Sequence, residues 1–279
     1  MKPNPALSDA LCWGQQALTQ SDSAALDCRV LLCYVLQKPD SYLYTWPDKA
    51  LNEQQWQAFQ QLISRRQRGV PVAHLTGERE FWSLPLNVND STLIPRPDTE
   101  VLVEQALQLA QAESCILDLG TGTGAIALAL ASELPSACIV GLDKQADAVA
   151  LAKLNQQKCG FHHVEFLQSD WFSALGERRF DVIVSNPPYI DEQDPHLQQG
   201  DVRFEPLSAL VAPEQGLADI RHISEQARAF FNGSGYLLFE HGYQQGQAVQ
   251  DLLVALGYQD CRTVKDYAGN DRVTIAKWI

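Results

Sequence analysis

Residues 185–189 read Ser-Asn-Pro-Pro-Tyr and directly follow an apolar run at 182–184. The Asn186 side chain offers a carbonyl oxygen, and Pro187 offers a backbone carbonyl with no N–H of its own to compete. Two neighbouring acceptors suit a planar NH2 group, which has two hydrogens to donate. Pro187 and Pro188 keep the residues before them extended, so the loop is stiff before any ligand binds, and Tyr189 adds a flat aromatic face. The alternative interpretation of these residues alone is a rigid strand-to-loop turn without chemical function.

A glycine-rich turn precedes this loop in the chain and follows another apolar run, at 115–119. Its members are Gly120, Thr121, Gly122, Thr123 and Gly124. Glycines let a backbone approach a ligand closely. The spacing is Gly-x-Gly-x-Gly, whereas dinucleotide-binding turns read Gly-x-Gly-x-x-Gly, so the pattern favours S-adenosylmethionine over NAD as the ligand. An NAD enzyme stays open as the alternative, because both classes use glycine-rich turns.

Two further acidic residues end predicted strands. Asp143 follows the apolar run at 139–142, and Asp170 with Trp171 comes shortly after the run at 164–167. Asp143 is placed to accept hydrogen bonds from both ribose hydroxyls of a nucleoside. Asp170 would accept from the adenine amine, and Trp171 would cover the adenine ring. Ordinary caps at strand ends are the alternative for both aspartates.

Arg96 lies between Pro95 and Pro97. The two prolines restrict the backbone around a charged residue that would otherwise be mobile. This arrangement suits contact with a carboxylate, either of a ligand or of Glu100. A plain surface ion pair is the alternative. The helix that follows has Asp98 or Thr99 in position to cap its amino end.

From residue 115 onward, short apolar runs alternate with helical patterns. Strands are predicted at 115–119, 138–142, 164–167, 181–184 and 236–240, helices at 125–133, 146–157, 216–231 and 244–255, and two closing strands near 259–264 and 272–276. This alternation predicts an α/β fold in which helices cover both faces of a mostly parallel sheet through right-handed crossovers. In such sheets ligands bind beyond the carboxyl ends of the strands, where the polar loops described above lie.

The amino-terminal part has a different character. Residues 6–70 read as helices, and the clearest begins after Asn52, with Gln55 in position to complete a capping box. Arg65, Arg66 and Arg68 near its end either complement the helix dipole on a solvated face or form a docking patch. Two short strands at 80–82 and 84–88 form a hairpin. We therefore predict a helical domain at 1–75, a β-hairpin linker at 76–95 and an α/β domain at 96–279.

The 279 residues are 46% hydrophobic and 20% charged, as in ordinary soluble globular proteins. The formal charge of -13 is uneven, because residues 1–75 carry +1 and residues 76–279 carry -14. The acidic part repels a phosphate backbone, so we do not expect a nucleic-acid partner.

Seven cysteines without a Cys-x-x-Cys pair predict reduced thiols in a cytoplasmic protein. The start of the chain has no hydrophobic signal region, and its apolar runs are too short to span a membrane, so neither export nor a membrane partner is expected. The six histidines show no metal-ligand spacing, and we expect no metal site.

Five segments of the chain match one family. They read Ile-Pro-Arg-Pro-Asp-Thr-Glu at 94–100, Leu-Asp-Leu-Gly-Thr-Gly-Thr-Gly at 117–124, Ser-Asp-Trp at 169–171, Ser-Asn-Pro-Pro-Tyr-Ile at 185–190, and Asn-Asp-Arg-Val at 270–273 after Asp266. Over nearly its whole length the chain resembles the bacterial release factor glutamine methyltransferases, also called the HemK or PrmC family. The loop at 185–190 alone is less specific, because methyltransferases of adenine-N6 and guanine-N2 carry a similar one.

The resemblance implies a Rossmann-like class I methyltransferase domain with a small all-helical amino-terminal domain, joined by a β-hairpin. It implies methyl transfer from S-adenosylmethionine to the side-chain amide nitrogen (N5) of the glutamine in the Gly-Gly-Gln motif of class 1 peptide chain release factors. The product would be S-adenosylhomocysteine, and the reaction would tune translation termination. The partner would be the release factor, and we expect the enzyme to be a monomer.

Carried over by position, the turn at 120–124, Asp143 and Trp171 would bind S-adenosylmethionine, and the loop at 186–189 would hold the glutamine, with Asn186, Pro187 and Tyr189 catalytic. From the interpretation of single residues we add Asp170 and Asn186 as cofactor contacts and Arg96 as a substrate contact. The helical domain of the family helps to dock the release factor. Residues 25–29 keep only Asp27 of the family pattern Arg-x-Asp-Ala-Glu. This departure bears on the packing of the helical domain or on its docking.

Two other functions stay open. A methyltransferase of adenine-N6 or another exocyclic base amine would use the same acceptor geometry on a flipped base. The second function is that of a scaffold protein, which would bind the cofactor without catalysing a reaction.

Overall fold

The computed structural model describes residues 4–198 and 200–279, and the chain divides into two compact units. The first unit comprises the residues up to Gly77 together with Gln198–Phe204, and the second comprises Glu78–Leu197 and Glu205–Ile279. A short segment from the second half of the sequence therefore belongs to the first unit.

The first unit is helical. Its helices are α1 (Leu7–Ala17), α2 (Ala24–Leu36), α3 (Asp40–Thr45), α4 (Glu53–Gln67) and α5 (Val72–Thr76). They enclose one apolar core that includes Leu31, Phe59 and Ile63, each fully buried. The predicted capping box of α4 is confirmed: the Gln55 backbone N–H donates to Asn52 Oδ1 over 2.8 Å, and the Asn52 N–H donates to Gln55 Oε1 over 3.0 Å.

Arg66, near the end of α4, is part of an ion-pair network within the first unit. Its Nε lies 2.8 Å from Asp27 Oδ2, and its Nη1 lies 2.9 Å from Asp201 Oδ1. Asp27 also accepts hydrogen bonds from the hydroxyls of Ser21 and Ser23. For Arg66 the predicted solvated face is therefore wrong, because its carboxylate partners take the side chain out of solvent.

The second unit contains a hairpin and a seven-stranded sheet. The strands are β1 (Glu78–Phe81), β2 (Leu84–Asn87), β3 (Cys115–Leu119), β4 (Cys138–Asp143), β5 (Val164–Gln168), β6 (Phe180–Ser185), β7 (Phe231–Glu240), β8 (Gln259–Lys265) and β9 (Asp271–Trp278). The helices are α6 (Glu100–Leu109), α7 (Ala125–Glu133), α8 (Ala146–Cys159), the single turn α9 (Pro213–Gly216), α10 (Ala218–Ala227) and α11 (Gly246–Ala255). Strands β1 and β2 pair with each other.

The sheet runs β5-β4-β3-β6-β7-β9-β8, and its first five strands are parallel. Strand β9 is antiparallel to both of its neighbours. Side chains from α6, α7 and α8 pack on one face of the sheet, and side chains from α10 and α11 pack on the other. This confirms the predicted α/β fold with covered faces and brings the carboxyl ends of β3 to β7 to one edge. In the described part of the chain, no helix is both long and apolar enough to cross a membrane.

Strand β7 begins earlier than predicted. Helix α10 ends at Ala227 and the strand starts at Phe231, before Gly233 and Gly235, whereas the prediction extended the helix to 231 and began the strand at 236. A Cβ atom on Gly235 would lie 2.3 Å from the Phe231 ring and 2.8 Å from the Asp181 carbonyl, so the close contact requires glycine. The register between β6 and β7 also shifts here, and the glycines therefore belong to an irregular strand rather than to a loop.

The amino end of α6 also differs from the prediction. Pro97–Thr99 forms a turn of 3-10 helix, and Thr99 makes no capping hydrogen bond with its side chain. The predicted cap is wrong because Thr99 already has helical backbone angles, which turn its hydroxyl away from the first helical N–H groups. The hydroxyl bonds to Asn186 instead.

Candidate functional site

A cavity of about 360 Å³ opens at the carboxyl edge of the sheet in the second unit. It brings together most of the residues that the sequence singles out. Its wall includes Arg96, Gly120, Thr121, Gly122, Thr123, Asp143, Asp170, Trp171, Asn186 and Pro188. Gly124, Pro187 and Tyr189 do not form part of that wall. The volume and the mixture of polar and apolar groups are typical of a small-molecule site.

The glycine turn is fixed by its neighbours. Gly120, Gly122 and Gly124 have φ values of 71°, 54° and 82°, in the left-handed region that favours glycine. Gly120 and Gly122 face the cavity, where an added Cβ would meet nothing closer than 3.8 Å. A Cβ on Gly124 would lie 2.9 Å from the Phe166 ring, so this glycine serves close packing beneath α7. The turn is therefore preorganised for close approach of a ligand at its first two glycines.

Asp118 supports the turn from below and was not predicted as a site residue. It is fully buried in β3, and the Thr121 hydroxyl donates to its Oδ2 over 2.5 Å. Burial raises the pKa of Asp118 to about 7, although the Thr121 hydrogen bond opposes the rise. The signal in the sequence was a charged residue inside an otherwise apolar strand.

Asp143 closes one side of the cavity at the end of β4. The Gly122 backbone N–H donates to its Oδ2 over 3.0 Å, and the Gln145 N–H donates to its Oδ1 over 2.9 Å. Burial raises the pKa of Asp143, and these backbone hydrogen bonds oppose the rise. A carboxylate has about four acceptor positions, so both oxygens keep room for further donors.

Asp170 and Trp171 lie at the next strand end. The Asp170 carboxylate lies 3.0 Å from Lys144 Nζ, a partner that the sequence did not predict, and both side chains are more than half exposed. Trp171 has φ 47°, a conformation that costs a large side chain free energy. The Ser169 hydroxyl donates to the Trp171 carbonyl over 2.6 Å and holds this backbone. The indole is thereby kept in the cavity wall.

The loop after β6 is anchored at both ends. The Ser185 hydroxyl donates to the Leu119 carbonyl over 2.7 Å, and the Gln245 side chain donates to the Tyr189 carbonyl over 3.0 Å. Asn186 Nδ2 lies 3.3 Å from the Thr99 hydroxyl. Since this contact uses the amino end of the amide, the carbonyl oxygen Oδ1 is the end that stays available to a ligand.

Tyr189 has a contact that the sequence did not predict. Its hydroxyl lies 3.3 Å from Oε1 of Glu240, a carboxylate that is 1% exposed. Burial raises the pKa of Tyr189, and the neighbouring Glu240 charge adds to the rise, so the phenol is neutral. A stacking role for its ring stays a prediction.

Arg96 binds a protein carboxylate. Its Nη2 donates to Oε2 of Glu205, whose side chain is fully buried and also accepts from the Ile94 backbone N–H over 2.8 Å. The suggested pairing with Glu100 is wrong, because Glu100 accepts from the Trp82 backbone N–H over 3.0 Å. Glu205 lies far from Arg96 in the chain, and no local pattern could have indicated the pair. Arg96 still forms part of the cavity wall.

No group of three or more His, Cys, Asp or Glu side chains in residues 4–198 and 200–279 is arranged to hold a metal ion.

Comparison with protein families gives two matches. The family model described as "PrmC N-terminal domain" matches residues 9–77, and the one described as "Methyltransferase small domain" matches residues 97–202.

Curated relatives are similar over the whole chain. A release factor glutamine methyltransferase from Shewanella oneidensis is 56% identical over 100% of this chain and 98% of its own length. One from Escherichia coli is 53% identical over 95% of this chain and 98% of its own length.

Solved structures share the fold at low identity. A methyltransferase from Pyrococcus furiosus aligns with a TM-score of 0.53 and 18% identity over 70% of this chain and 88% of its own. A Thermus thermophilus 16S rRNA N2 G1207 methyltransferase aligns with a TM-score of 0.51 and 22% identity over 72% of this chain and 50% of its own. Both likenesses concern the fold alone.

Proposed function

The chain belongs to the release factor glutamine methyltransferase family, and from this premise we propose that its site methylates the glutamine of the Gly-Gly-Gln motif in class 1 peptide chain release factors. The methyl group goes to the side-chain amide nitrogen, N5. The observation that carries this proposal is the orientation of Asn186, whose carbonyl oxygen is left free beside the cavity. An acceptor in that position suits an NH2 group.

The cavity fits S-adenosylmethionine. The glycine turn allows close approach, the two Asp143 oxygens suit ribose hydroxyls, and Trp171 offers a face for adenine. The buried Thr92 hydroxyl in the wall has no hydrogen-bond partner among the described residues, so a polar ligand would satisfy it. When bound, S-adenosylmethionine supplies the methyl group. We propose Gly120, Gly122, Asp143, Asp170 and Trp171 as its main contacts.

The acceptor loop orients the glutamine amide. An amide nitrogen is a weak nucleophile because its lone pair is delocalised into the carbonyl. In our proposal the Asn186 Oδ1 and the Pro187 carbonyl each accept one N–H of the substrate amide, and Pro188 keeps the loop rigid. Orientation of this kind can contribute as much as ~7–11 kcal/mol to lowering a reaction barrier. No described residue needs to act as a strong base before transfer, since the nitrogen becomes acidic only after alkylation.

The helical unit is proposed to help dock the release factor. Tyr44 and Trp46 are 65% and 56% exposed on this unit, which is more than a core position would allow. Aromatic side chains of this kind are common in protein interfaces. We also propose that the domains have the limits predicted from the sequence, which are 1–75, 76–95 and 96–279. We also propose that the enzyme is a cytoplasmic monomer, in keeping with its free cysteines.

Labelled methyl transfer tests the function. Tritiated S-adenosylmethionine is incubated with the protein and a purified release factor, and the labelled residue is mapped by proteolysis and mass spectrometry. We expect label on the Gly-Gly-Gln glutamine and none on a release factor in which that glutamine is replaced by glutamate. Label on duplex or single-stranded nucleic acid instead would favour a base methyltransferase. Absence of label on any acceptor, despite cofactor binding, would favour a silent scaffold.

A further inference from the structure

Glu240 ends strand β7 with its side chain inside the protein, at 1% exposure. A buried carboxylate costs free energy unless it is paired and hydrogen-bonded. Among the described residues, none makes a hydrogen bond to its Oε2 atom, and the Tyr189 hydroxyl lies 3.3 Å from Oε1. The mechanism above does not use this group, although it contacts the acceptor loop.

Three segments singled out in the sequence converge on Glu240. Tyr189 of the acceptor loop places its hydroxyl 3.3 Å from Glu240 Oε1, and the other neighbours of Glu240 are Thr99, from the turn before α6, and Arg272, from β9. Burial raises the pKa of Glu240, and the Thr99 hydrogen bond, the Arg272 charge and the Tyr189 hydrogen bond oppose that rise. Glu240 is therefore surrounded by three donors, the hydroxyls of Thr99 and Tyr189 and the guanidinium of Arg272.

Arg272 is itself fixed by other groups. Its Nη2 lies 3.1 Å from Asp266 Oδ2 and 3.5 Å from Asp98 Oδ2, and its Nη1 donates to the His241 carbonyl over 3.3 Å. A guanidinium held by three oxygen partners is a rigid counter-charge. The segment at 266–272 therefore supplies a fixed positive charge near Glu240.

The hydrogen bonds around Thr99 run in one direction. The Asn186 Nδ2 group donates to Thr99 Oγ1 over 3.3 Å, so the single hydrogen of the Thr99 hydroxyl is left to donate to Glu240. While Thr99 donates to Glu240, its oxygen can only accept from Asn186, which keeps Nδ2 of the amide turned toward Thr99. The Asn186 oxygen is the end that remains for the substrate.

We infer that Glu240 is a positioning residue: acting through Thr99 and Tyr189, it fixes both ends of the acceptor loop and presents the Asn186 oxygen, not its NH2 group, to the substrate. The inference rests on the proposed function of that loop as the glutamine site. Glu240 does not form part of the cavity wall, so its effect reaches the substrate through the loop.

The first test is Glu240→Gln, which keeps the shape of the side chain and adds an NH2 group that can donate. The new amide can donate to Thr99, whose hydroxyl can then donate to Asn186 and reverse its amide. We expect kcat for the release factor to fall roughly tenfold or more, because an NH2 group would then face the substrate NH2. We expect S-adenosylmethionine affinity, measured by calorimetry, to change less than twofold, and the thermal midpoint to change little, because glutamine keeps the shape of the side chain and Arg272 keeps Asp266 as its partner.

The second test is Tyr189→Phe, with Tyr258→Phe as the matched control. Tyr258 is 4% exposed in the same unit, and its hydroxyl donates to the Ser224 carbonyl over 2.8 Å, away from the cavity. Both variants lose one buried phenol hydrogen bond and should lose similar stability. Only Tyr189→Phe should lower kcat.

The outcomes separate the two proposals. If the wild-type protein methylates the release factor and Glu240→Gln turns over within twofold of it, the positioning role is wrong and the function stands. If Glu240→Gln loses stability, cofactor affinity and turnover together, its role is merely structural and the inference also fails. A wild-type protein that transfers no methyl group to glutamine would overturn both.

Discussion

The two ends of the Asn186 side-chain amide have different roles. Thr99 holds the NH2 end, and the carbonyl oxygen is available to the cavity. Asn186→Ala removes the acceptor and leaves a substrate N–H unsatisfied in a desolvated site. The activation free energy should rise by about 1–3 kcal/mol, and turnover should fall accordingly. Single-turnover methyl transfer to a release factor measures this, and calorimetry with S-adenosylhomocysteine should show little change. Normal methylation by the variant would mean that the loop is not the glutamine site.

Thr92 offers a test in which stability and affinity move in opposite directions. It is 2% exposed, and its hydroxyl lacks a hydrogen-bond partner among the described residues. Thr92→Val keeps the shape, so the free protein should gain about 1–3 kcal/mol by losing an unsatisfied buried group. S-adenosylmethionine binding should weaken, because the ligand loses the hydroxyl. Thermal melts and calorimetry measure the two effects.

The control for Thr92 is Thr274→Val. Thr274 is fully buried, and its hydroxyl bonds to His241 Nε2 over 2.8 Å. This variant should lose stability without any change in cofactor affinity. Equal cofactor affinity of Thr92→Val and the wild-type protein would contradict the proposed contact.

Asp118 predicts a pH dependence of stability. Its folded pKa of about 7 lies above the unfolded value of about 3.9, so between these pH values the folded state binds more protons than the unfolded state. The contribution of Asp118 to the free energy of unfolding is therefore fully present at low pH and is lost as pH rises through about 7. Urea unfolding should show Asp118→Asn gaining stability relative to the wild-type protein as pH increases from about 4 to about 8. A constant difference across that range would contradict the raised pKa.

At the scale of elements, the short turn α9 supports the acceptor loop. Gly216, at its end, has φ 81°, and an added Cβ would lie 1.9 Å from the Tyr189 carbonyl oxygen. Gly216→Ala should therefore displace the loop and lower both stability and turnover. Gly176→Ala is the matched control, because Gly176 has φ 58° with nothing within 4 Å, so it carries only the backbone cost of about 1–2 kcal/mol. Equal turnover of the two variants would argue against the contact.

The sequence predicts elements well where the signals are local. The capping box of α4 and the bounds of α7, Ala125–Glu133, follow from neighbouring residues. The start of β7 was missed because Gly233 and Gly235 resemble turn residues unless the close contact with β6 is known. Local patterns therefore predict that a strand exists more reliably than where it begins.

The residues of the candidate site show the same difference between local signals and contacts with distant residues. Residues 120–123, Asp143 and Asn186 lie in the cavity wall, and the sequence indicated them because each follows an apolar run that ends at this edge of the sheet. The partners of Arg96 and Thr99 were not predicted, since Glu205 and Glu240 lie far along the chain from them. Such pairs depend on topology, which spacing within one segment does not encode.

At the scale of the whole molecule, Arg66 tests how a segment from the second half of the chain is held in the first unit. Arg66→Leu leaves Asp27, which is 5% exposed, without its counter-charge and should destabilise the first unit by about 3–5 kcal/mol. Hydrogen exchange should accelerate in α2 and α4 and also in residues 200–204, because Arg66 contacts Asp201. Arg65→Leu, at an exposed position of the same helix, is the control and should change little. Unchanged exchange in 200–204 would show that this ion pair does not hold the segment.

The membership of Gln198–Phe204 in the first unit has a consequence for cutting the chain. A protease nick after Gly77 would release a helical fragment that lacks this segment and a larger fragment that carries it. The larger fragment would contain the whole second unit, but the first unit would be divided between the two fragments, so the pieces should stay associated by fragment complementation. A gene split after the codon for Gly77 should therefore give active protein only when both fragments are produced together.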